Sequence, residues 1–424
     1  MRRSIIGLVV ATLLATASPL SAYSVLTHEA TIDATWDAAL QPLLRQRFPR
    51  ASADDLTRAR SFAYGGSVIQ DLGYYPFGNK FFSNLVHYVR SGDFVEALLR
   101  DARDIDEFAF ALGALAHYAN DTMGHPEAVN LTVPIVFPKL EQKYGHVVTY
   151  AQAPQQHVIV EFSFDIVHAV GGAYLPDSYK KFIGFRVTTS LLERAFRETY
   201  GLEMRDLFGD LDRAISTYRY AVSQIIPTLT EAAWRDKHDE IAKLTPSIDR
   251  SAFVFSYPRA SYEADYGRDY QRPGLFARFL GLVYRILPKV GPLRPLAFKA
   301  PTPEAAELFA HSFRDAAARF RAEVNDLKDR QFNIRNITFD TGKSSQFGEY
   351  SLADETYAEL LDKLSDHQFE STPVALSRNI VAFYGDNPKP ALESRKARKE
   401  WTRVERALQE LRQASGRRAA SSVE

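Results

Sequence analysis

One segment of the sequence, residues 105–122, constrains the fold more than any other. Its apolar positions have helical spacing, and residues 108–116 are all apolar or glycine. His117 and Asp121 follow four residues apart, so they lie on one face of the predicted helix. Burying such polar groups without partners would cost several kcal/mol. The segment therefore favours a buried helix whose polar pair binds something.

A second histidine–carboxylate pair has the same spacing. His157 and Glu161 lie on a helix predicted over residues 155–170. Two helices that each present a histidine and a carboxylate can hold a divalent metal ion between them. One such pair is more often a surface hydrogen bond, but two pairs beside apolar stretches favour a metal site. His125 follows one turn after the first pair, at residues 124–126, where Gly-His-Pro predicts a break in the helix.

Most of the remaining sequence is also predicted to be helical, with no alternation of strands and helices. Thr27 is the predicted N-cap of the first helix. Ser52 and Asp55 predict a capping box, in a helix that should end near residues 65–66 and lead into a loop over residues 66–79 that carries Asp71. Further helices are predicted over residues 28–44, 82–89, 94–100, 189–198, 207–230, 303–328 and 354–364. The predicted fold class is therefore all-α.

Three regions are predicted along the chain. Residues 1–22 have the features of a signal peptide, with two arginines before a short apolar run and the small pair Ser21-Ala22 at its end. The run is too short to span a bilayer as a stable helix, and the alternative is an uncleaved anchor. Residues 23–245 form a first domain, and residues 246–424 a mostly helical extension whose last ten residues are disordered. A secreted or periplasmic protein is expected.

The composition excludes several kinds of site. The 424 residues include no cysteine, which rules out thiolate zinc sites, iron–sulfur clusters and disulfides. Any metal must be held by histidine, aspartate, glutamate or backbone groups. The 52 Lys and Arg residues balance the 52 Asp and Glu residues, so no stable nucleic-acid partner is expected.

The order of the histidines and carboxylates resembles that of the zinc-dependent phospholipase C family, which is related to the P1/S1 single-strand nucleases. The family pattern consists of the mature N-terminal residue, an early histidine, a loop aspartate, and then the histidines and carboxylates described above. In this sequence these positions are Tyr23, His28, Asp71, His87, His117, Asp121, His125, His157 and Glu161. The resemblance implies a phospholipase C/P1 nuclease-like helical bundle, with the C-terminal region added to it.

Three zinc ions are also implied by this resemblance. The first ion would be held by Asp71, His87, His117 and Asp121. The second would be held by His125, His157 and Glu161, with a coordination position open for water. The amine and carbonyl of Tyr23 would hold the third ion with His28, and Asp121 would bridge the first and third. Nitrogen and oxygen ligands rich in histidine suit Zn²⁺ better than Mg²⁺ or Ca²⁺.

The sequence departs from the family where the head group of the substrate would bind. In the best-known phospholipases an aromatic residue follows the loop aspartate and another precedes the next histidine by three, whereas this sequence has Leu72 and Asn84. Tyr74, Tyr75 and Phe77 can supply a replacement aromatic wall for a cationic head group. The alternative is that these side chains pack the loop.

The resemblance implies hydrolysis of a phospholipid by zinc-activated water, which releases diacylglycerol and a phosphorylated head group. Asp71 is the predicted residue to orient or deprotonate that water, because it lies outside the two helical pairs. Two alternatives are a P1/S1-like single-strand nuclease and a non-catalytic binding protein on the same fold. A nuclease would need stacking aromatic residues and a basic groove, which the neutral charge disfavours.

Residues 273–300 form a stretch that is both basic and apolar. Between Tyr270 and Pro301 there are six basic residues and no acidic one. One hypothesis is an interfacial hairpin that docks on anionic lipid. The alternative is a helix packed on the first domain. The sequence gives no prediction of the oligomeric state.

The N-terminal residue provides a test of the third ion. An amide nitrogen is not a neutral metal ligand, because its lone pair is delocalised, so Tyr23 can supply an amine only after cleavage. A variant with one extra residue before Tyr23 should fold, bind two zinc ions and lose most of its activity, as measured by elemental analysis and turnover. Equal zinc content and equal turnover for the two termini would contradict the assignment.

Overall fold

The computed structural model of the protein describes residues 25–165, 185–222, 299–328, 333–386 and 394–421, with a few isolated residues between them. The predicted signal peptide, Tyr23, the boundary predicted at residues 245–246 and almost all of residues 273–300 lie outside this part of the chain. Helices make up most of the described residues, whose only β-type pairing is an isolated bridge between Thr338 and Lys343. The prediction of an all-α fold is confirmed.

We number the α-helices in chain order. The first nine are α1 (Val25–Thr35), α2 (Gln41–Arg47), α3 (Ala53–Val68), α4 (Lys80–Tyr88), α5 (Ser91–Asp101), α6 (Ile105–Gly124), α7 (Asn130–Val136), α8 (Pro138–Tyr144) and α9 (Pro154–Phe164). The later helices are α10 (Thr189–Tyr200), α11 (Met204–Leu207), α12 (Leu211–Tyr220), α13 (Pro303–Lys328), α14 (Ser351–Asp366), α15 (Val374–Tyr384) and α16 (Arg395–Ser421). A 3₁₀-helix covers Ile69–Tyr74, and π-helices cover Trp36–Leu40 and His125–Val129.

Helix α6 lies at the centre of the bundle. It begins at the N-cap Asp104, whose side chain accepts a hydrogen bond from the backbone amide of Glu107 at 2.9 Å. It contacts α1, α3, α5 and α13, and its side chains are buried on every face. A helix that is apolar on all sides is buried in this way, so the few polar side chains of α6 are enclosed within the protein.

Glycines allow α3 and α6 to pack closely. A Cβ atom at Gly66 would lie 1.8 Å from the carbonyl oxygen of Phe110, and one at Gly113 would lie 2.0 Å from that of Ala63. No larger residue fits at either position without moving a helix backbone. The short distance between the two helices brings the ends that carry the predicted ligands together.

The prediction that α3 ends near residues 65–66 is wrong. The capping box of Ser52 and Asp55 is present, but α3 continues to Val68 and leads into the 3₁₀-helix Ile69–Tyr74. The glycines serve helix packing and do not end the helix. A loop was predicted to carry Asp71, but this residue lies on the 3₁₀-helix.

The start of α1 also differs from its prediction. The helix is already formed at Val25, so Thr27 lies inside it and is not the N-cap. The backbone amides of Leu26 and Thr27 donate to the carboxylate of Asp165, at 2.9 Å and 3.0 Å. A carboxylate that follows α9 therefore satisfies the free amides at the start of α1, where negative charge is stabilising.

The break predicted at residues 124–126 is replaced by a wider helical turn. Residues His125–Val129 form a π-helix that joins α6 to α7. Pro126 lies in its first turn, where a missing N–H costs least. Insertions of this kind often occur at functional sites, and this one places His125 at the end of α6.

The described residues from 299 onward pack on the same core as helices α1–α6. Helix α13 contacts α6 and α1, and α14 contacts α4 and α16. Phe313 and Phe320 of α13, Leu360 of α14 and Leu408 of α16 belong to one hydrophobic cluster with residues of α1–α6. The C-terminal region therefore contributes to the enclosure of the site region.

Disorder was predicted for the last ten residues, but residues 415–421 belong to α16, which extends to Ser421, and the final three lie outside the described residues. Val404, Leu408 and Leu411 are buried with helical spacing, so one face of α16 is held against the core. Within the described part of the chain, no helix combines the length and apolar character needed to cross a membrane.

The glycine contact gives a test of the packing of α3 against α6. We expect Gly113→Ala to lower the melting temperature, because the added Cβ would overlap the Ala63 carbonyl, and overpacking costs about 1–3 kcal/mol. Gly209→Ala is the control, since a Cβ at Gly209 meets no atom within 4 Å. Thermal melts of the two variants that match each other would disprove the close contact.

Candidate metal centre

Asp121 of α6 lies at the centre of a first cluster of buried donors. Its Oδ2 is 3.1 Å from Nε2 of His117 and 3.4 Å from Nε2 of His87. Its Oδ1 is 3.3 Å from Nε2 of His28. All four side chains are fully buried. One carboxylate thus faces three imidazoles on three different helices, as expected of a bridging ligand.

Asp71 adds a second carboxylate to this cluster. Its Oδ1 is 3.5 Å from Nε2 of His87 and makes no hydrogen bond. Donor atoms of Asp71, His87 and His117 lie within 4.8 Å of one another, as do those of His28, His117 and Asp121. The structure thus brings together the residues predicted for the first ion and the described part of the third.

A second cluster combines the π-helix with α9. Donor atoms of His125, His157 and Glu161 lie within 4.8 Å of one another, and all three side chains are buried. Nδ1 of His157 is 3.5 Å from Oε1 of Glu161. This cluster is the residue set predicted for the second ion.

Backbone carbonyls hold three of the histidines. Nδ1 of His87 donates to the carbonyl of Ser83 at 2.7 Å, and Nδ1 of His117 to that of Ser67 at 2.9 Å. Nε2 of His157 donates to a third carbonyl, that of Val148, at 2.5 Å. A carbonyl only accepts, so this nitrogen carries a proton, and in a neutral ring the other nitrogen is the one that presents a lone pair to a metal. Such partners orient histidines that bind metals.

His28 has a side-chain partner. Its Nδ1 lies 3.2 Å from Nδ2 of Asn120, which in turn contacts the hydroxyl of Thr31 at 3.0 Å through Oδ1. Asn120 is itself buried beside Asp121 on α6. Asn120 was not among the predicted site residues, and its contact with His28 indicates that it orients the imidazole.

Burial strongly affects the protonation of the second cluster. Burial, with the neighbouring His125, lowers the pKa of His157 to about 3. Burial also raises the pKa of Glu161 well above its usual value, and the carboxylates of Asp121 and Asp71 add to this rise. A neutral imidazole is the form that binds a metal, and a bound cation would displace the proton of Glu161.

In the first cluster, neighbouring carboxylates affect the pKa of His87 more than burial does. Burial alone would lower the pKa of His87, but the carboxylates of Asp121 and Asp71 outweigh burial and raise it to about 10. Burial lowers the pKa of His28, and His117 lowers it further. Although burial opposes it, His117 and His28 hold the pKa of Asp121 well below its usual range. Without a metal ion, a proton on His87 therefore compensates part of the negative charge of Asp121 and Asp71.

The donors present fit zinc. Several buried polar atoms in the two clusters make no hydrogen bond: Oδ1 of Asp71, Nε2 of His87, Nε2 of His117, both carboxylate oxygens of Asp121, both ring nitrogens of His125, Nδ1 of His157 and Oε1 of Glu161. Buried polar atoms are rarely left in this state. Separations of 3.1–3.5 Å suit pairs of donors that each lie about 2.0–2.2 Å from a shared Zn²⁺.

Tyr75 and Phe77 make contacts with residues that do not belong to the two clusters. The Tyr75 ring is buried and stacks on Tyr218 with a centroid distance of 3.7 Å. Phe77 is partly buried, and the Arg213 guanidinium lies 5.5 Å from its ring centroid. These contacts agree with the packing alternative for both side chains.

Tyr74 is a predicted aromatic residue whose ring contacts one of the donors. Its ring meets the His87 ring edge to face, with a centroid distance of 6.0 Å. The Tyr74 side chain is only 2% exposed, so it lies beneath the surface beside the first cluster. It stays a candidate for substrate contact.

Asp340 is a buried carboxylate that was not among the predicted ligands. This residue lies between α13 and α14 and is fully buried, with Oδ1 3.7 Å from Nε2 of His125. No spacing signal marks it, because it is far along the chain from every predicted ligand. Only the three-dimensional fold brings it to the second cluster.

A further group of possible donors lies nearer the surface. His311 is 67% exposed and pairs with Asp315 four residues later, at 3.0 Å, with Glu127 nearby. His146 is 89% exposed and pairs with Glu141. Solvated pairs of this kind contribute little to stability, and exposed acidic groups are common without a bound ion.

Comparison with known proteins agrees with this geometry. Residues 27–209 match a family model described as zinc dependent phospholipase C. The match includes all of the described predicted ligands. No curated protein and no solved structure matches the chain. This match confirms the resemblance of residues 27–209 to the zinc-dependent phospholipase C family, and it supports a zinc-dependent phospholipid hydrolase.

The two clusters give a direct test of metal binding. We expect His117→Ala and His157→Ala each to reduce the zinc content and the activity. Each variant should also have a lower melting temperature, because metal binding contributes folding free energy. His146→Ala is the control, since this exposed histidine lies outside both clusters. Elemental analysis that finds no zinc in folded wild-type protein under zinc-replete conditions would contradict the metal centre.

Proposed function

We propose that this protein is a phospholipase C that hydrolyses phospholipid to diacylglycerol and a phosphorylated head group. The observation that carries the proposal is the pair of buried donor clusters, in which lone pairs and carboxylate oxygens face one another without hydrogen bonds. They lie within the segment that matches the family. Sites of this composition suit hydrolysis at phosphorus.

Zinc is the proposed cofactor, and three ions are proposed. The first would be held by Asp71, His87, His117 and Asp121, the second by His125, His157 and Glu161, and the third by Tyr23 and His28 with Asp121 as the bridge. When bound, zinc supplies water activated near neutral pH and positive charge for the phosphoryl oxygens. The protein supplies rigid donors in a site enclosed by apolar helices.

Asp71 is the proposed residue that orients and deprotonates the attacking water. Its Oδ1 has no hydrogen bond and faces the first cluster, 3.5 Å from Nε2 of His87. The 3₁₀-helix that carries it is fixed, because the Ser83 hydroxyl accepts from the Gly73 amide and donates to the carbonyl of Gln70. A carboxylate oxygen held in this way can accept a proton without reorganising.

Tyr74 is the proposed aromatic contact for the head group, because its ring packs against the first cluster through His87. Tyr75 and Phe77 were proposed with it, and their contacts with Tyr218 and Arg213 favour structural roles. A cation near the Tyr74 ring would be stabilised by the ring face.

Secretion or export to the periplasm is proposed from the N-terminal sequence of residues 1–22. Docking on anionic membrane is proposed for residues 273–300, from their basic and apolar composition. The first segment and almost all of the second lie outside the described part of the chain, so both proposals depend on the sequence.

The proposed activity is tested by assaying the purified mature protein on phosphatidylcholine vesicles and on single-stranded DNA. We expect release of the phosphorylated head group, loss of this release with a chelator, and recovery with added Zn²⁺. DNA should not be cleaved at a comparable rate. The measurement is head-group phosphate released per unit time.

A second test is the variant Asp71→Asn, which keeps the shape of the side chain but lowers its ability to bind a cation and to accept a proton. This variant should retain lipid binding in vesicle sedimentation and lose most turnover. DNA cleavage that exceeds lipid hydrolysis would identify a nuclease. Absence of both activities in zinc-loaded protein would favour a non-catalytic binding protein.

A further inference from the structure

The segment that follows α13 enters the metal centre. Its Phe339 amide donates to the carbonyl of His87 at 3.2 Å, and the Phe339 ring lies 4.8 Å from the His87 ring between centroids. The hydroxyl of Ser91 donates to the carbonyl of Ile337 at 2.6 Å. Residues far beyond the family match are therefore fixed against a predicted zinc ligand.

Asp340 follows Phe339, and its two carboxylate oxygens differ in their hydrogen bonds. Oδ2 accepts hydrogen bonds from the hydroxyl of Tyr88, at 2.9 Å, and from the hydroxyl of Tyr350. The Asp340 carbonyl accepts from the side chain of Asn130 at 2.8 Å. Oδ1 is buried and makes no hydrogen bond. The two phenols fix one oxygen and leave the other directed at the second cluster.

His125 is the histidine of the second cluster that Oδ1 of Asp340 faces. The distance from Oδ1 to Nε2 is 3.7 Å, and neither ring nitrogen of His125 makes a hydrogen bond. In the other described ligands, hydrogen bonds that hold the histidines measure 2.5–3.2 Å. Contacts between neighbouring donors of one cluster measure 3.1–3.5 Å. The 3.7 Å distance between Asp340 and His125 is too long for a hydrogen bond and is close to the distances between neighbouring donors of one cluster.

We propose that Asp340 is an additional metal ligand, which binds through Oδ1 the same ion as His125, His157 and Glu161. This inference depends on the proposed zinc centre and adds to it a donor that the family pattern does not include. It gives the ion four protein side chains, two imidazoles and two carboxylates. It also makes the C-terminal region part of the metal centre, because the donor comes from the segment between α13 and α14.

The test compares Asp340→Asn and Asp340→Ala with the wild type for zinc affinity, by chelator competition, and for the visible absorption of the Co²⁺-substituted protein. In Asp340→Asn the amide oxygen can still accept from Tyr88 and Tyr350, while an NH₂ group that cannot ligate faces the cluster. Both variants should lose zinc affinity at one ion by more than the roughly 10–100-fold that follows loss of an outer hydrogen bond. Both should also change the Co²⁺ absorption.

Tyr350→Phe is the matched control, because it removes one hydrogen bond to Oδ2 and leaves Oδ1 in place. Its zinc affinity should stay within about tenfold of the wild-type affinity, which is the lower limit of the loss expected when an outer hydrogen-bond partner is removed. Circular dichroism of each variant checks the fold.

Three results would overturn the inference. One is wild-type zinc affinity and wild-type Co²⁺ absorption in Asp340→Ala. Another is recovery of wild-type affinity in Asp340→Asn, which would show an outer hydrogen-bonding role. The third is a wild-type protein that binds no zinc, which would remove the metal centre as well, whereas the first two results leave the proposed function standing.

Discussion

Compensation of buried charge is the interaction on which the structure depends. Asp121 is fully enclosed in an apolar bundle and faces His28, His87 and His117. Isolated charges in such surroundings are strongly disfavoured, so the protein must either hold protons there or bind a cation. Burial raises the pKa of Glu161 and so favours its protonated, neutral form, but burial also lowers the pKa of His28, which therefore does not carry a positive charge beside Asp121. Protons thus compensate only part of the charge. Divalent cations compensate the carboxylates and use the lone pairs of the neutral imidazoles together, so metal binding stabilises both the site and the fold.

The packing of α3 against α6 is linked to the orientation of these ligands. Gly66 and Gly113 allow the two backbones to approach, and Ser67 follows Gly66 directly. The carbonyl of Ser67 then lies 2.9 Å from Nδ1 of His117 and fixes its ring. A wider separation of the helices would remove this hydrogen bond and leave the lone pair of Nε2 undirected. Small residues at the helix contact are therefore as necessary for the donor geometry as the donors themselves.

Sequence reasoning succeeded where the structure is set by local geometry. The pairs His117–Asp121 and His157–Glu161 were identified because a helical turn places residues four apart on one face. The capping box at Ser52 was identified for the same reason. The errors arose where residues distant in sequence determine the local structure. Asp165, at the end of α9, caps the start of α1. The glycines of α3 allow α6 to approach closely and do not end the helix. Asp340 carries no spacing signal, and only the fold shows its place.

The family match ends at residue 209, yet the described site does not. Phe339 covers the ring of His87, and Phe320 of α13 lies in the same hydrophobic cluster as Phe110 of α6. A chain that lacked the C-terminal region would expose these apolar surfaces and leave the hydroxyl of Tyr88 without its acceptor. Exposure of buried apolar surface and loss of a buried hydrogen bond both reduce stability. The described C-terminal helices are consequently a structural part of the metal centre, and the enclosure that makes the buried donors require a cation is completed only by residues beyond the family match.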